Sequence, residues 1–232
     1  MKTLATMLLA AVVGAAGLSA CASNQVTPES KYSGFLPNYS LLTKQKDPKG
    51  QPVMRYVNPL LTSGDYHAVM IDPVVYYPAP QPDKAVNAET LSQIREYFDS
   101  ALHSEVGSEV QVVNAPGPGV ARIRVAITAV APKSASLKWY QYIPIALLVQ
   151  GVKAAAGVYP KDAQLFAEME VTDSQSGQLL GEVVKNATGT EIEKAKEGVD
   201  KGKKVVALDN VKSIFDNWAK LIANFMAENL GS

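Results

Sequence analysis

The sequence has few of the residues from which disulfides, metal sites and nucleic-acid surfaces are built. Its 232 residues include one cysteine and two histidines, so transition-metal ligands are scarce and no second thiol exists for a disulfide. Lysine plus arginine equals aspartate plus glutamate, at 22 each, so no basic excess indicates nucleic acid. Stability must therefore come from a packed core, and the chain is long enough to form one.

Common catalytic motifs are also absent. The chain has no Gly-x-Ser-x-Gly nucleophile elbow and no His-Glu-x-x-His zinc motif. Gly117 and Gly119 flank Pro118, which lacks the N–H donor that a phosphate loop requires, so this segment is predicted to be a turn.

The two histidines favour structural interpretations. His67 lies near Asp65 and Asp72 and could serve as a general base, but a histidine on a strand face is more common. His103 is predicted in the last turn of a helix, where a cation suits the helix dipole. We therefore predict a protein that is not an enzyme, with no catalytic residues, no metal site and no cofactor.

The N-terminus has a short positive region followed by an apolar run. Lys2 precedes residues 4–18, which are about fifteen apolar or small residues, fewer than the roughly 20 of a spanning helix. Leu18-Ser19-Ala20-Cys21 then provides small residues before a cleavage site. These residues resemble the bacterial lipobox, in which the cysteine thiol receives a diacylglycerol, the signal is removed and the new amino group is usually acylated. The resemblance implies a signal peptide over residues 1–20 and lipid attachment at Cys21; an ordinary signal peptide that contains a cysteine is the alternative.

The residue after the cysteine bears on the destination. Inner-membrane lipoproteins of enteric bacteria often have aspartate at this position, whereas this chain has Ala22. We therefore expect an outer-membrane lipoprotein that faces the periplasm. Residues 21–31 are polar, contain Pro28 and are predicted to be a lipid-anchored tether.

Residues 32–232 are predicted to form one domain. Residues 66–77 are rich in valine and tyrosine and predict a strand that Pro73 interrupts, because proline removes a ladder donor. Further strands are predicted at about 109–113, 120–130, 164–173 and 178–187. One helix is predicted from about 88 to 106, with Asn87 as its cap and Gly107 as its stop. A second begins near Asn210 and ends at Gly231, with apolar residues at three- and four-residue steps.

Alternation assigns the strand faces. Arg122 and Arg124 share one face of the 120–130 strand, and Glu168 and Glu170 have the same spacing in the 164–173 strand. Cross-strand ion pairs on a solvent face are a simpler explanation for these arginines than an anion site. Together the elements predict an α+β two-layer sandwich, with a mostly antiparallel sheet, two amphipathic helices on one face and an apolar helical insertion.

The insertion, at about residues 137–160, contains an uncharged run from 139 to 152. It is too short and interrupted to predict a membrane span. It could cap the sheet, dip into lipid beneath the anchor or dock on a partner, since exposed apolar patches are rare. The candidate interaction surface consists of Trp139, Tyr142, Ile145 and Leu148.

Several stretches, in this order, carry a family resemblance over nearly the whole mature chain. They are residues 32–36 with Tyr39-Ser40, 54–59, 66–73, 117–120, 126–128 and 143–147. Together they resemble an uncharacterised family of bacterial lipoproteins, domain-of-unknown-function family 3313. The resemblance implies an envelope lipoprotein and no particular activity.

Two functions follow as expectations. The first is a lipid-anchored envelope lipoprotein with a non-enzymatic binding or accessory role, whose partners are the membrane and an envelope protein. The alternative is a carrier that shelters an apolar ligand such as lipid between the sheet, the insertion and the C-terminal helix. Neither involves nucleic acid.

Overall fold

A computed structural model describes residues 26–80, 88–128, 164–188 and 211–230. Two short 3₁₀ turns, Glu29–Lys31 and Tyr39–Leu41, precede the first strand. The two helices are α1, Ala88–Glu109, and α2, Lys212–Leu230. The strands are β1 (Thr43–Lys46), β2 (Pro52–Val57), β3 (Ala68–Ile71), β4 (Val75–Tyr77), β5 (Gln111–Val113), β6 (Val120–Thr128), β7 (Gln164–Asp173) and β8 (Leu179–Thr188).

These strands form one mixed sheet in the order β1-β2-β8-β7-β6-β3-β5, with β4 also paired to β6. Among the strand pairs described, four are antiparallel and three are parallel. The antiparallel pairs link β1, β2, β8, β7 and β6 in one continuous run. The parallel pairs lie at the other side, where β3 and β4 join β6 and β5 joins β3.

The interruption predicted at Pro73 divides one strand into two that pair with the same neighbour. β3 ends at Ile71, opposite Ile123, and β4 begins at Val75, opposite Ala126. Between them the Val74 N–H donates to the carboxylate of Asp99 in α1, at 2.8 Å, instead of to the sheet. The hydrogen bond at this break therefore links the sheet to α1.

Two details of the predicted secondary structure were wrong. No strand is predicted from the sequence before residue 66, whereas β1 and β2 form a hairpin whose turn lies at residues 47–50. Asp47 fixes the turn, because its carboxylate accepts from the N–H groups of Lys49 and Gln51. Gly107 does not stop α1, which continues to Glu109, so His103 is not in the last turn.

Both helices pack on the same face of the sheet, as predicted. α1 contributes Ile94, Phe98 and Leu102, each fully buried, and α2 contributes Phe215 and Trp218. The Phe98 and Phe215 rings are stacked at 4.5 Å between centroids. The alternating residues that face them across β6 and β7 are Ala121, Ile123, Val125, Ile127, Leu165, Ala167, Met169 and Val171. The α+β two-layer sandwich is thus confirmed.

The opposite face of the sheet is partly covered. A second apolar cluster there joins Phe35, Leu36 and Leu42 to Ala126 and Val184 of the sheet. The irregular segment of residues 32–42, called the strap below, supplies the first three. The predicted solvent face therefore has a covered part in which its glutamates are buried, whereas the Arg122 and Arg124 side chains remain partly exposed.

Candidate functional site

A row of polar and charged side chains crosses four strands beneath the strap. The strand register aligns Tyr56 of β2, Glu182 of β8, Glu170 of β7 and Arg124 of β6 in one row. Glu168 lies in the next row on the same face, beside Val184. Directly opposed side chains have Cβ atoms about 4.5–5.5 Å apart, so Glu182 and Glu170 are immediate neighbours.

Glu168 is the point to which the strap is attached. One of its oxygens accepts from the Ser33 N–H at 2.9 Å; the other accepts from the Ser33 hydroxyl at 2.9 Å and the Tyr39 hydroxyl at 2.5 Å. The side chain is almost completely buried, with 1% of the residue exposed. Hydrogen bonds to a charged acceptor are about twice as strong as neutral ones, so this carboxylate is the strap's main polar attachment.

Tyr39 organises the strap internally. Its hydroxyl accepts from the N–H groups of Gly34 and Leu36, at 2.8 and 3.2 Å, while it donates to Glu168. Its ring stacks on Tyr32 at 4.5 Å between centroids. Burial, then the hydrogen bond to Glu168, raises the pKa of Tyr39 to about 12, so the hydroxyl remains a donor at neutral pH.

Glu170 is paired with the cation of the row. Its carboxylate lies 2.6 Å from the Arg124 guanidinium, and 8% of the Glu170 side chain is exposed. The guanidinium also lies 5.0 Å from the centre of the Phe35 ring, so the strap covers it through a cation–π contact. The predicted ion pair between β6 and β7 is confirmed for Arg124.

Glu182 has no comparable compensation. The residue is 0% exposed, and neither carboxylate oxygen has a hydrogen-bond partner in the part of the chain that the structure describes. Burial, then the charges of Glu170 and Glu168, raises the pKa of Glu182 to about 7; the nearby Asn38 N–H only partly opposes this. A carboxyl with this pKa is protonated in a large fraction of molecules near pH 7.

Arg122 has a different partner from the one predicted. Its guanidinium binds both oxygens of Asp72, at 2.9 and 2.7 Å, and neither Glu168 nor Glu170. Asp72 precedes the break at Pro73, and its N–H donates to Ile123 at 2.9 Å. The pair therefore holds the end of β3 against β6.

An apolar cavity of about 70 Å³ lies on the other face, between the sheet and α2. Its walls include Val125, Met169 and Trp218, and its mouth contains Lys185, whose ammonium lies 2.9 Å from the Asp47 carboxylate. Pockets that hold drug-sized ligands measure about 300–1,000 Å³. The space is too small for a lipid chain.

His67 does not pair with either of the carboxylates near it in the sequence. His67 precedes β3, is exposed, and its ring packs on Gly119, whose φ of +66° favours glycine. The neighbouring Asp65 accepts from the Thr62 N–H, and Asp72 holds Arg122. Within the described residues, no cluster of histidine, cysteine, aspartate and glutamate has the geometry to hold a metal ion.

The site residues predicted from the sequence lie outside the described residues. They are Cys21 and, in the insertion, Trp139, Tyr142, Ile145 and Leu148. Ala22, Asn87 and Gly231 lie outside them as well. Among the residues that the structure describes, no helix has the length and apolar character to cross a membrane.

Sequence reasoning missed the strap and Glu182. The strap has no periodicity, and its only signal is the density of aromatic and turn residues at Tyr32, Gly34, Phe35 and Tyr39. Glu182 lies in a correctly predicted strand, at a position that alternation places on the same face as Val184. A carboxylate on that face becomes notable only once the face is known to be covered.

Comparison with known proteins gives a consistent result. The model of the family described as "Protein of unknown function (DUF3313)" matches residues 31–222. Two relatives from Escherichia coli, strains K12 and O157:H7, are both named "Uncharacterized lipoprotein YdcL". Each is 31% identical over 219 residues, which is 94% of this chain and 95% of the relative.

Solved structures show only distant likeness. The PelC dodecamer from Paraburkholderia phytofirmans aligns with a TM-score of 0.36 and 12% identity, covering 74% of this chain and 96% of that one. Protein XCC0632 from Xanthomonas campestris aligns with a TM-score of 0.34 and 9% identity, covering 81% and 93%. Similarity at this level carries no inference about function or assembly.

Proposed function

This chain belongs to the DUF3313 family, and we propose that it is an outer-membrane lipoprotein that faces the periplasm, is anchored through Cys21 and has a non-enzymatic binding role. The resemblance of residues 18–21 to a lipobox supports the anchor, and the lipoprotein names of the E. coli relatives agree with it. The proposed partners are the membrane and another envelope component.

The observation that carries the proposal is how close the fold begins to the proposed anchor. Thr27 is already buried, with 2% exposed, and the 3₁₀ turn Glu29–Lys31 connects it to the strap. Six peptide units separate it from Cys21, and an extended chain spans about 3.3–3.6 Å per residue. The domain would therefore stay within about 20 Å of the bilayer surface, where contact with membrane-bound partners is frequent.

Labelling with a fatty acid tests the anchor. Cys21→Ser should abolish palmitate labelling and stop maturation at the precursor, whereas Ser23→Ala should be labelled and processed as the wild type is. Ala22→Asp should move part of the protein to the inner membrane if enteric sorting applies. Undiminished labelling of Cys21→Ser would rule out the anchor, and an unchanged distribution of Ala22→Asp would remove the support for the outer membrane.

The proposed binding surface is the insertion, through Trp139, Tyr142, Ile145 and Leu148. Ile145→Ser with Leu148→Ser should reduce crosslinking to envelope proteins in intact cells and leave thermal stability nearly unchanged. A large loss of stability would show instead that the segment packs on the core, because buried apolar area would be lost. Full stability with undiminished crosslinking would exclude the insertion as the contact surface.

Carriage of an apolar ligand is the weaker candidate. The cavity beside α2 has apolar walls but only about 70 Å³ of space, so an acyl chain would require the helix to move. Native mass spectrometry of the purified protein separates the two functions. A non-covalently bound lipid that co-purifies with the folded chain lacking the lipid at Cys21 would favour the carrier.

A further inference from the structure

The strap closes over an unbalanced group of charges. Three glutamates, at positions 168, 170 and 182, are each at most 6% exposed, whereas the arginine that pairs with them on this face is Arg124, which contacts Glu170. Glu168 is compensated by three donors from the strap. Glu182 is fully buried and has no hydrogen-bond partner among the described residues.

Each element packed around Glu182 contributes a charged or polar group. β7 presents Glu170 directly opposite, with Glu168 in the adjacent row. β2 presents Tyr56 on the other side, and the strap brings the Asn38 N–H. Arg124 lies beyond Glu170 in the row and already binds it, so its charge is committed to that carboxylate.

A second negative charge in this space is costly. Ionised Glu182 would face the Glu170 carboxylate with only the nearby Asn38 N–H to offset its charge, and both carboxylates lie in an interior that screens charge poorly. Water could reach Glu182 if the strap lifted, because the strap closes this face of the sheet. Opening the strap is the smallest movement that would hydrate the charge.

We propose that the strap is a proton-controlled latch, which stays closed on the sheet while Glu182 holds a proton and opens when that proton is lost. This inference does not depend on the proposed function. The direction of the pH effect follows from the direction of the pKa shift. The pKa of Glu182 in the closed form is raised to about 7, above the ordinary value of 4.5. The proton stabilises the closed form fully below the ordinary value, and this stabilisation decreases as pH rises through about 7.

Opening would have two structural consequences. It would expose the apolar cluster now formed by Phe35, Leu36 and Leu42 with Ala126 and Val184, which is a surface of the kind that binds partners. It would also add residues 32–42 to the free chain that precedes the sheet. At about 3.3–3.6 Å per residue, the length of these added residues is greater than the whole distance between a lipid at Cys21 and the domain in the closed form.

Hydrogen exchange read by mass spectrometry tests the latch in the full lipoprotein in detergent micelles. The reporters are the amides of Gly34, Leu36 and Leu42, all hydrogen-bonded in the closed strap. After division by the intrinsic rate at each pH, their protection in the wild type should fall about tenfold per unit between about pH 5 and 7 and level off above pH 7, since opening releases a proton only between the ordinary pKa and the raised pKa. Protection of the β7 ladder should not change.

Glu182→Gln has the same shape without the titrating proton, so its strap protection should be independent of pH between about 5 and 9, including the range in which the wild type changes. Glu96→Gln, at an exposed site on α1, should behave like the wild type. Flat protection in the wild type, or an equal fall in Glu182→Gln, would overturn the proposal.

A second variant covers the case in which Glu182→Gln does not fold. Glu170→Gln removes the facing charge and leaves Arg124 available to Glu182, which lowers the pKa of Glu182 in the closed form. The fall in protection should therefore end well below pH 7 or vanish, and a fall that still extends to pH 7 in Glu170→Gln would contradict the latch.

Discussion

The two faces of the sheet are covered in different ways. On the helix-covered face, α1 and α2 bury a large apolar cluster that includes Phe98, Phe215 and Trp218. On the strap-covered face, the irregular strap seals a small apolar cluster together with buried glutamates. Apolar burial provides most of the stability of the first face, whereas closure of the second depends on hydrogen bonds to Glu168 and on the charge of Glu182.

The largest expected effect is the loss of stability when an aromatic side chain is truncated, and this loss should differ between the two faces. Trp218→Ala should lower the free energy of unfolding by about 3–5 kcal/mol, as should Phe225→Ala in the same helix, because buried area is lost and a cavity is left. Phe35→Ala in the strap should cost about 1–2 kcal/mol, since its cluster is smaller than the main core and the irregular strap can adjust to the lost ring. Urea denaturation measures all three. Equal losses on both faces would show that the strap belongs to the main core.

The next largest effect concerns the hydrogen bonds that attach the strap to Glu168. Glu168→Gln replaces an oxygen that accepts hydrogen bonds by an amide that donates, opposite the Ser33 and Tyr39 donors. Strap closure should weaken by about 1–3 kcal/mol, read as lost hydrogen-exchange protection of residues 33–42. Glu96→Gln is the control and should change stability by less than about 0.5 kcal/mol. Retained strap protection in Glu168→Gln would mean that apolar contacts alone hold the strap.

The helix-covered face could be predicted from the sequence, whereas the strap-covered face could not. Period-2 alternation in residues 120–130 and 164–173 and the 3.6-residue period of α2 located the main core, because long regular elements repeat their signal. The strap has no repeat: its position depends on Tyr39 reaching Glu168, which is 129 residues away in sequence. Arg122 was assigned to the wrong carboxylate because the parallel pairing of β3 with β6, which brings Asp72 alongside, has no local signal.

The smallest effect tests the backbone of the strap. Gly34 has a φ of +92°, which side chains rarely adopt, and a Cβ there would meet the Tyr77 ring at an ordinary 3.9 Å. Gly34→Ala should therefore weaken strap closure by about 1 kcal/mol through conformation alone. Gly64→Ala is the matched control, since Gly64 has a φ of +90° with open space around it and lies outside the strap. It should leave strap protection unchanged, and an equal loss of protection in both variants would show that the effect is not local.

The central claim is that the strap-covered face buries a glutamate that is half protonated near neutral pH. The most direct measurement is an NMR titration of the side-chain carboxyl carbon of Glu182, assigned by comparison with Glu182→Gln. A midpoint near 7 is predicted, because burial and the charges of Glu170 and Glu168 raise the pKa of this carboxyl. A midpoint near the ordinary value of 4.5 would show that Glu182 is hydrated, and it would contradict both the buried row and the latch.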